Sequence, residues 1–123
     1  MNSVEPPLLS LMVLDWTVLI LSARHGFLHP NTEVAPYDER MTRQRADQMM
    51  ADLSSYLRPA AWPGRVGSVM FAGGAEYRRV MRAALARRYG LALPVMHETN
   101  GGIGMQRSQL GAFLAGLKPA FRD

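Results

Sequence analysis

The hydrophobic positions of this chain fall into short continuous runs and into stripes at helical spacing. The run Val18 to Leu21 leaves no polar face and predicts a buried, central strand over Thr17 to Ser22. A second run predicts a strand over Val66 to Ala72. Leu91 to Met96 is a third candidate, but Pro94 cannot donate to a strand ladder, so this segment is predicted at a sheet edge or as irregular structure.

Three stripes at three- and four-residue spacing predict helices. The first covers Arg43 to Leu57 with Thr42 as its cap, the second covers Ala75 to Tyr89, and the third covers Met105 to Leu117. The apolar segment Leu8 to Leu14 fits either a strand or a helical turn, because its periodicity cannot separate the two over so short a length.

The order of these elements predicts the fold class. Strands alternate with helices, which favours a small three-layer α/β fold with a mostly parallel sheet of three or four strands and helices on both faces. Residues 1–15 are predicted as a lead-in segment and residues 16–123 as a single α/β domain. Arg24 to Met41 carries no predicted regular structure, which is typical of a functional loop or of a loop packed by its own side chains.

Composition narrows the function classes. A chain of 123 residues without Cys suits one domain and has no disulfide, thiolate metal site or Cys nucleophile. No apolar segment is long enough to cross a bilayer and no secretory leader is recognisable, so a cytoplasmic protein without a membrane role is predicted. The net charge is +4 and all 14 basic residues except Lys118 are Arg, which suits phosphate or carboxylate ligands, although a GC-rich genome gives the same bias.

The segment Ser22 to Gly26 turns polar directly after the buried strand. Carboxyl ends of strands in parallel α/β sheets are where ligands bind, so Ser22 and Arg24 are candidate ligand contacts. His25 is a candidate general acid or base together with Asp38, and a hydrogen-bonded structural histidine is the alternative. The spacing of the histidines matches no metal motif, and neither a metal nor a cofactor is predicted.

Two helix starts are candidate anion sites. Gly73 and Gly74 precede the second helix, where free backbone amides and the helix dipole favour negative charge, and a simple tight turn is the alternative. Gly104 and Gln106 stand at the start of the third helix and form a second candidate, with an ordinary helix-start loop as the alternative. Tyr37 follows a proline and is predicted to point into the same site or to plug its loop onto the core.

The second predicted helix also carries a basic face. Arg78, Arg79 and Arg82 are candidate contacts to a nucleic-acid backbone, which would give salt-dependent and sequence-independent affinity. The alternative is a solvated arginine-rich face without a ligand.

Four motifs in order resemble an uncharacterised bacterial and phage domain family, DUF6884. They are LSARHGFL at Leu21 to Leu28, PYDE at Pro36 to Glu39, AGGAEY at Ala72 to Tyr77 and GIGMQ at Gly102 to Gln106. A more distant likeness is to the YaaA peroxide-stress proteins, which are DNA-associated and carry Tyr where this chain has His25. The resemblance implies one shared pocket, surrounded by Ser22, Arg24, His25, Gly26, Tyr37, Asp38, Gly73, Tyr77, Gly104 and Gln106.

The resemblance also shows a departure. Family members usually begin with an additional strand and a polar, often Cys-containing loop, for which there is no obvious room before Trp16. We therefore expect a nucleotide- or nucleic-acid-binding domain that acts on a nucleobase or glycosidic bond if it is catalytic. The alternative is a non-enzymatic phage- or plasmid-borne interaction protein that keeps the fold without the active loop. The absent strand predicts an exposed sheet edge, through which a homo-oligomer or a protein partner could bind.

Overall fold

The computed structural model describes residues 10–32 and 39–99, which form a five-stranded mixed sheet with three helices. The strands are β1 (Leu11–Leu14), β2 (Thr17–Ser22), β3 (Gly26–Leu28), β4 (Ser68–Ala72) and β5 (Val95–Glu98). The helices are α1 (Arg43–Ala51), α2 (Leu53–Leu57) and α3 (Ala75–Tyr89), with a short 3₁₀ turn at Gly90–Ala92.

A tight hairpin joins β1 to β2. Leu14 pairs with Thr17, so only Asp15 and Trp16 form the connection, and Asp15 adopts a positive φ of 52°. The Asp15 carboxylate accepts hydrogen bonds from the backbone amides of Gly67 and Ser68, both at 3.0 Å. This side chain therefore fixes both the hairpin and the entry to β4.

The sheet is mostly antiparallel, so the predicted mostly parallel sheet of three or four strands is wrong. Its strand order is β3-β2-β1-β4-β5, in which β1 is antiparallel to both β2 and β4, and only β4 and β5 are parallel. The reason is β1: it lies within the predicted lead-in segment, yet it is the middle strand. A two-residue connection can join only antiparallel strands.

Some of the predicted helices and strands have the expected bounds, and others begin or end elsewhere. The bounds of β2 and α3 are as predicted, and β2 is paired on both sides. The predicted helix Arg43 to Leu57 is interrupted at Asp52, the predicted loop Arg24 to Met41 contains β3, and the third strand begins only at Val95. β5 lies at one edge of the described sheet, with β3 at the other, and all four residues of β5 are exposed.

The two faces of the sheet bury different side chains. Met12, Leu19 and Phe71 project to the face that packs against all three helices. Val13 and Met70 are buried on the opposite face, in a separate apolar cluster. The predicted last helix lies outside the described residues, so helices on both faces stay a prediction. No helix within the described ranges is long and apolar enough to cross a membrane.

The helices α1 and α3 run in the same direction. Three pairs advance together along both: the Met41 amide with the Tyr77 hydroxyl, Asp47 with Arg79, and, beyond α1, Ser54 with Arg87. The amino-terminal ends of α1 and α3 therefore lie on the same side of the molecule.

That side is also where β2 and β4 end. Both strands are antiparallel to β1, so Ser22 and Ala72 lie at one edge of the sheet with the start of β1 between them. We call this edge the strand-end rim. It consists of the Ser22–Gly26 turn, Ser10, the Gly73–Gly74 turn and the two helix starts.

Candidate functional site

The turn between β2 and β3 is built around the hydroxyl of Ser22. Its Oγ accepts hydrogen bonds from the backbone amides of Arg24 at 3.1 Å and His25 at 3.0 Å, and Ser22 is almost fully buried. Gly26 closes the turn at φ 87°, where an added Cβ would lie 2.8 Å from the backbone oxygen of Tyr56. Sequence and sterics thus require a small polar residue at one end of the turn and a glycine at the other.

Arg45 of α1 holds this turn from outside. Its Nε donates to the carbonyl of Ala23 at 2.6 Å and its Nη2 donates to the carbonyl of Arg24 at 3.1 Å. The guanidinium also lies over the ring of Tyr56, 5.1 Å from its centroid. Sequence reasoning missed this role, because spacing alone placed Arg45 on a face away from the core and no local signal marks a contact 21 residues distant.

Arg24, in the Ser22–Gly26 turn, is exposed to solvent, whereas the nearby His25 and His29 are both half-buried. Within residues 10–32 and 39–99 the guanidinium of Arg24 has no ion pair. His29 accepts a hydrogen bond at Nε2 from the amide of Ala61 at 3.0 Å, so the ring has a structural role.

A cleft of about 270 Å³ opens at the other end of the rim, beside the start of α3. Its described lining consists of Ser10, Arg40, Met41, Gly73, Gly74, Ala75, Glu76 and Tyr77. The cleft therefore lies between the entry to α1 and the first turn of α3. The volume of the cleft lies just below the roughly 300 Å³ at which typical small-molecule pockets begin.

The first turn of α3 has no side-chain cap. Gly73 has φ 142°, a conformation that favours glycine, and Gly74 is the N-cap in extended geometry without a side chain to accept from the helix amides. A Cβ on Gly74 would approach only the ring of Tyr77, at 4.0 Å. Helix-start amides have no intrahelical acceptor, so this turn offers donors and positive potential to the cleft.

The described lining of the cleft carries two charged side chains of opposite sign, Arg40 and Glu76. Arg40 is exposed on its lining and has no ion pair within the described part of the chain. Glu76 opposes an anion, but Arg79 binds it and also binds Asp47 at 2.7 Å. The hydrogen bonds to Asp47 and then to Glu76 raise the pKa of Arg79 above its usual value. Arg79 shares its single positive charge between Asp47 and Glu76, so it offsets part of the negative charge of Glu76.

The guanidinium of Arg78 hydrogen-bonds other groups of the protein. Its Nε donates to the carbonyl of Gly73 at 2.8 Å, its Nη1 to Glu98 at 3.2 Å and its Nη2 to the hydroxyl of Thr99 at 3.1 Å. Its side chain is only 17% exposed. It therefore connects the glycine turn beside the cleft to the end of β5.

Arg82 completes a carboxylate cluster. It donates to both oxygens of Glu98, with the shorter contacts at 2.6 Å. Burial, the largest influence, raises the pKa of Glu98, but the hydrogen bonds and charges of Arg82 and Arg78 together outweigh it and hold that pKa below its usual value. All three arginines of the predicted nucleic-acid face thus have acidic partners, and their contact with nucleic acid stays a prediction.

The structure brings together some of the predicted site residues. Gly73 and Tyr77 line the cleft, and the Tyr77 hydroxyl accepts the amide of Met41 at 3.3 Å. The Ser22–Gly26 turn lies on the same rim but is not part of the described lining. The remaining four predicted residues lie outside the described residues: Tyr37, Asp38, Gly104 and Gln106. Within the described ranges no group of three His, Asp or Glu residues could hold a metal ion.

Comparison with known families gives one match. The model of a family of unknown function, DUF6884, matches residues 14–111, which cover β2 to β5 and both ends of the rim. No curated protein and no solved structure matches the chain. The more distant likeness to the YaaA proteins, and a phage origin, therefore stay predictions.

Proposed function

This chain belongs to the DUF6884 family, whose function is unknown, and from its geometry we propose that it binds a nucleotide in the cleft at the start of α3. The observation that carries the proposal is an uncapped helix start beside an exposed arginine, Arg40, on one cleft. The first-turn amides and Arg40 would bind the phosphate.

Phosphate suits this part of the cleft for two reasons. Helix-start amides bind phosphate through hydrogen bonds and through the helix dipole. Gly74 carries no side chain, and the nearest atom to an added Cβ there is 4.0 Å away, so a ligand oxygen can approach the backbone of Gly74 without displacing a side chain of that residue. Arg40 would add a charged, two-pronged donor.

The rest of the lining suits the non-phosphate part of a nucleotide. Met41 and Tyr77 supply apolar and aromatic surface, against which a base or a ribose can pack. Ser10 is 7% exposed and adds a hydroxyl. This mixture of apolar surface and a few polar groups is typical of small-molecule sites.

Binding of a nucleotide in the cleft does not by itself imply a chemical reaction of that nucleotide. The predicted acid–base pair was His25 with Asp38, and Asp38 lies outside the described residues. His25 lies on the rim in the turn held by Ser22 and Arg45. Action on a nucleobase or glycosidic bond thus stays a prediction, and the binding proposal does not depend on it.

Gly74→Asp tests the proposal directly. An aspartate N-cap would accept the first-turn amides itself and add a negative charge, so it should weaken nucleotide binding at least about tenfold, which is about 1.4 kcal/mol. The same change should leave the fold stable or stabilise it by a few tenths of a kcal/mol, since Asp is a good N-cap and the backbone there is unstrained.

Calorimetric titration with nucleoside 5′-monophosphates and with inorganic phosphate provides the measurement. Gly74→Ala is the matched control, since it adds a Cβ without an acceptor, and it should bind nearly as well as the wild type. Arg40→Ala should weaken binding, and Arg65→Ala, at an exposed arginine outside the described cleft lining, should not. Equal affinity for the wild type and Gly74→Asp would contradict the proposal.

A further inference from the structure

We infer that the cleft is one end of a track for single-stranded nucleic acid, which runs along the strand-end rim from Arg40 to Arg24 and not along the arginine face of α3. The inference rests on the proposed function, because it places one nucleotide of the strand in the cleft. Its basis is the different use of arginines on the two surfaces.

Arg78, Arg79 and Arg82, the arginines of the predicted nucleic-acid face of α3, have little free charge to offer, whereas Arg87 and Arg88 lie in the last turn of α3, at the end of the helix away from the rim. Arg78 and Arg82 share Glu98, and Arg79 binds both Asp47 and Glu76. A phosphate on this face would have to compete with carboxylates already at 2.6–3.2 Å. Counterion release, the main source of affinity for nucleic acid, needs cations that are not already neutralised.

The two arginines at the ends of the rim differ from those of the α3 face in their pairing with carboxylates. Arg24 and Arg40 are exposed, and neither has an acidic partner within the described residues. Between them lies the Arg45 side chain, whose Nε is 3.5 Å from the carboxylate of Glu39. That pair is neutral overall, so the rim keeps the charges of Arg24 and Arg40.

The dimensions of the rim suit more than one nucleotide. The turn that carries Arg24 follows β2, and the cleft follows β4, with β1 between these strands. Two strand spacings correspond to about 10 Å. The positive ends of α1 and α3 lie on the same side and add to the potential that a strand of phosphates would meet.

The cleft favours a single strand over a duplex. Met41 and Tyr77 line the cleft, and a base can pack against them only if it is neither stacked nor paired. Bases in single strands meet this condition, whereas bases in a duplex do not. A duplex would present phosphates to Arg24 and Arg40 but would leave the cleft unused. We therefore expect tighter binding of single strands.

The test is a salt series with a fluorescent single-stranded oligonucleotide, read by anisotropy. Two phosphate contacts predict that log K falls with log salt at a slope of about −1.4, at about −0.7 for each contact. Arg24→Ala and Arg40→Ala should each reduce the slope by about 0.7 and weaken binding. Both side chains are exposed, and the backbone bonds of Arg24 do not involve its side chain, so both variants should fold.

Two controls locate the track. Arg82→Ala, on α3, and Arg65→Ala, at an exposed arginine that is not part of the rim, should leave the slope unchanged. A loss of slope in Arg82→Ala with none in Arg24→Ala would overturn the inference in favour of the helix face. Equal affinity for single strands and duplex would also overturn it.

The outcomes separate this inference from the proposed function. If mononucleotides bind and Gly74→Asp abolishes that binding, but oligonucleotides bind no better than mononucleotides, the track is wrong and the cleft proposal stands. If neither mononucleotides nor oligonucleotides bind, both are wrong.

Discussion

At the scale of single residues, several charged side chains of this protein bind backbone groups and not solvent. Asp15 accepts from two amides at the start of β4, Arg45 donates to two carbonyls of the β2–β3 turn, and Arg78 donates to the carbonyl of Gly73. Asp15 and Arg45 thereby join segments that are distant along the chain, and Arg78 does so through its further bonds to Glu98 and Thr99. Hydrogen bonds to charged groups are stronger than neutral ones, so these residues fix the ends of elements that hydrophobic packing alone would leave free to shift.

Asp15 offers a test of such an anchor. Asp15→Ala removes both acceptors and places a residue with a Cβ but no local acceptor at φ 52°, so we expect a loss of about 2–4 kcal/mol in the free energy of unfolding. Asp15→Gly relieves the backbone strain and removes only the hydrogen bonds, so it should cost less. Urea denaturation of both variants measures the difference, and equal stability of Asp15→Ala and the wild type would refute the anchor.

None of these anchors was visible in the sequence. Helical spacing in the sequence predicts the apolar stripe of α1, and Ala46 and Met49 of that stripe are buried as expected. It does not show that Arg45, which directly precedes Ala46, donates to two carbonyls of the β2–β3 turn, since hydrogen bonds between residues far apart leave no periodic pattern. Arg78 and Arg82 were predicted to contact nucleic acid or, alternatively, to form a solvated face; their pairing with Glu98 was not foreseen, because Glu98 lies on a strand whose position depends on the whole sheet.

At the scale of elements, the sequence predicted those elements whose local pattern agrees with their tertiary role. The bounds of β2 and α3 follow from a fully apolar run and from an unbroken helical stripe ended by Gly90. The segment Leu8 to Leu14, which contains β1, was left open between strand and helical turn, because seven residues are too few for periodicity to separate the two. β3 was missed since its three residues were included in a loop already interpreted as functional.

The β2–β3 turn gives the second prediction. Gly26→Ala forces a Cβ to within 2.8 Å of the Tyr56 backbone oxygen and 2.9 Å of its Cβ at a φ of 87°, so we expect a loss of about 2–5 kcal/mol from strain and overpacking. Gly64→Ala is the matched control, because nothing lies within 4 Å of its added Cβ and its φ is not positive. It should be neutral or slightly stabilising.

Thermal unfolding followed by circular dichroism compares the two variants. A Gly26→Ala protein as stable as Gly64→Ala would mean that the turn and Tyr56 are less closely packed than the structure shows.

At the scale of the whole molecule, the direction of the sheet was the main error of the sequence prediction. Alternating strands and helices favour parallel crossovers, but here two hairpins precede the first helix and β1 also pairs antiparallel with β4, so three of the four strand pairings are antiparallel. Asp15 and Trp16 lack the glycine that usually marks a two-residue hairpin, so the turn was not recognised. The shared rim survived this error, because β2 and β4 still run in the same direction on either side of β1.

Glu98 links the stability of the molecule to pH. The lowered pKa means that the charged carboxylate stabilises the fold through Arg82 and Arg78, and this contribution is complete above the unfolded-state pKa and is lost as the pH falls through the folded-state pKa. We expect Glu98→Gln to be less stable than the wild type at neutral pH and to approach it in acid. Denaturant titrations from neutral to acid pH measure this, and a difference that does not change with pH would contradict it.

The two hydrogen bonds from Arg45 to the β2–β3 turn determine which parts of the molecule open together. Its guanidinium, carried by the first turn of α1, is the donor to both turn carbonyls, so that hairpin turn cannot separate from α1 without breaking two charge-assisted bonds at once. Local fluctuations usually follow such cooperative units and not single elements. The end of the rim that carries Arg24 should therefore behave as a preassembled part of the molecule, which loosens only when the beginning of α1 loosens with it.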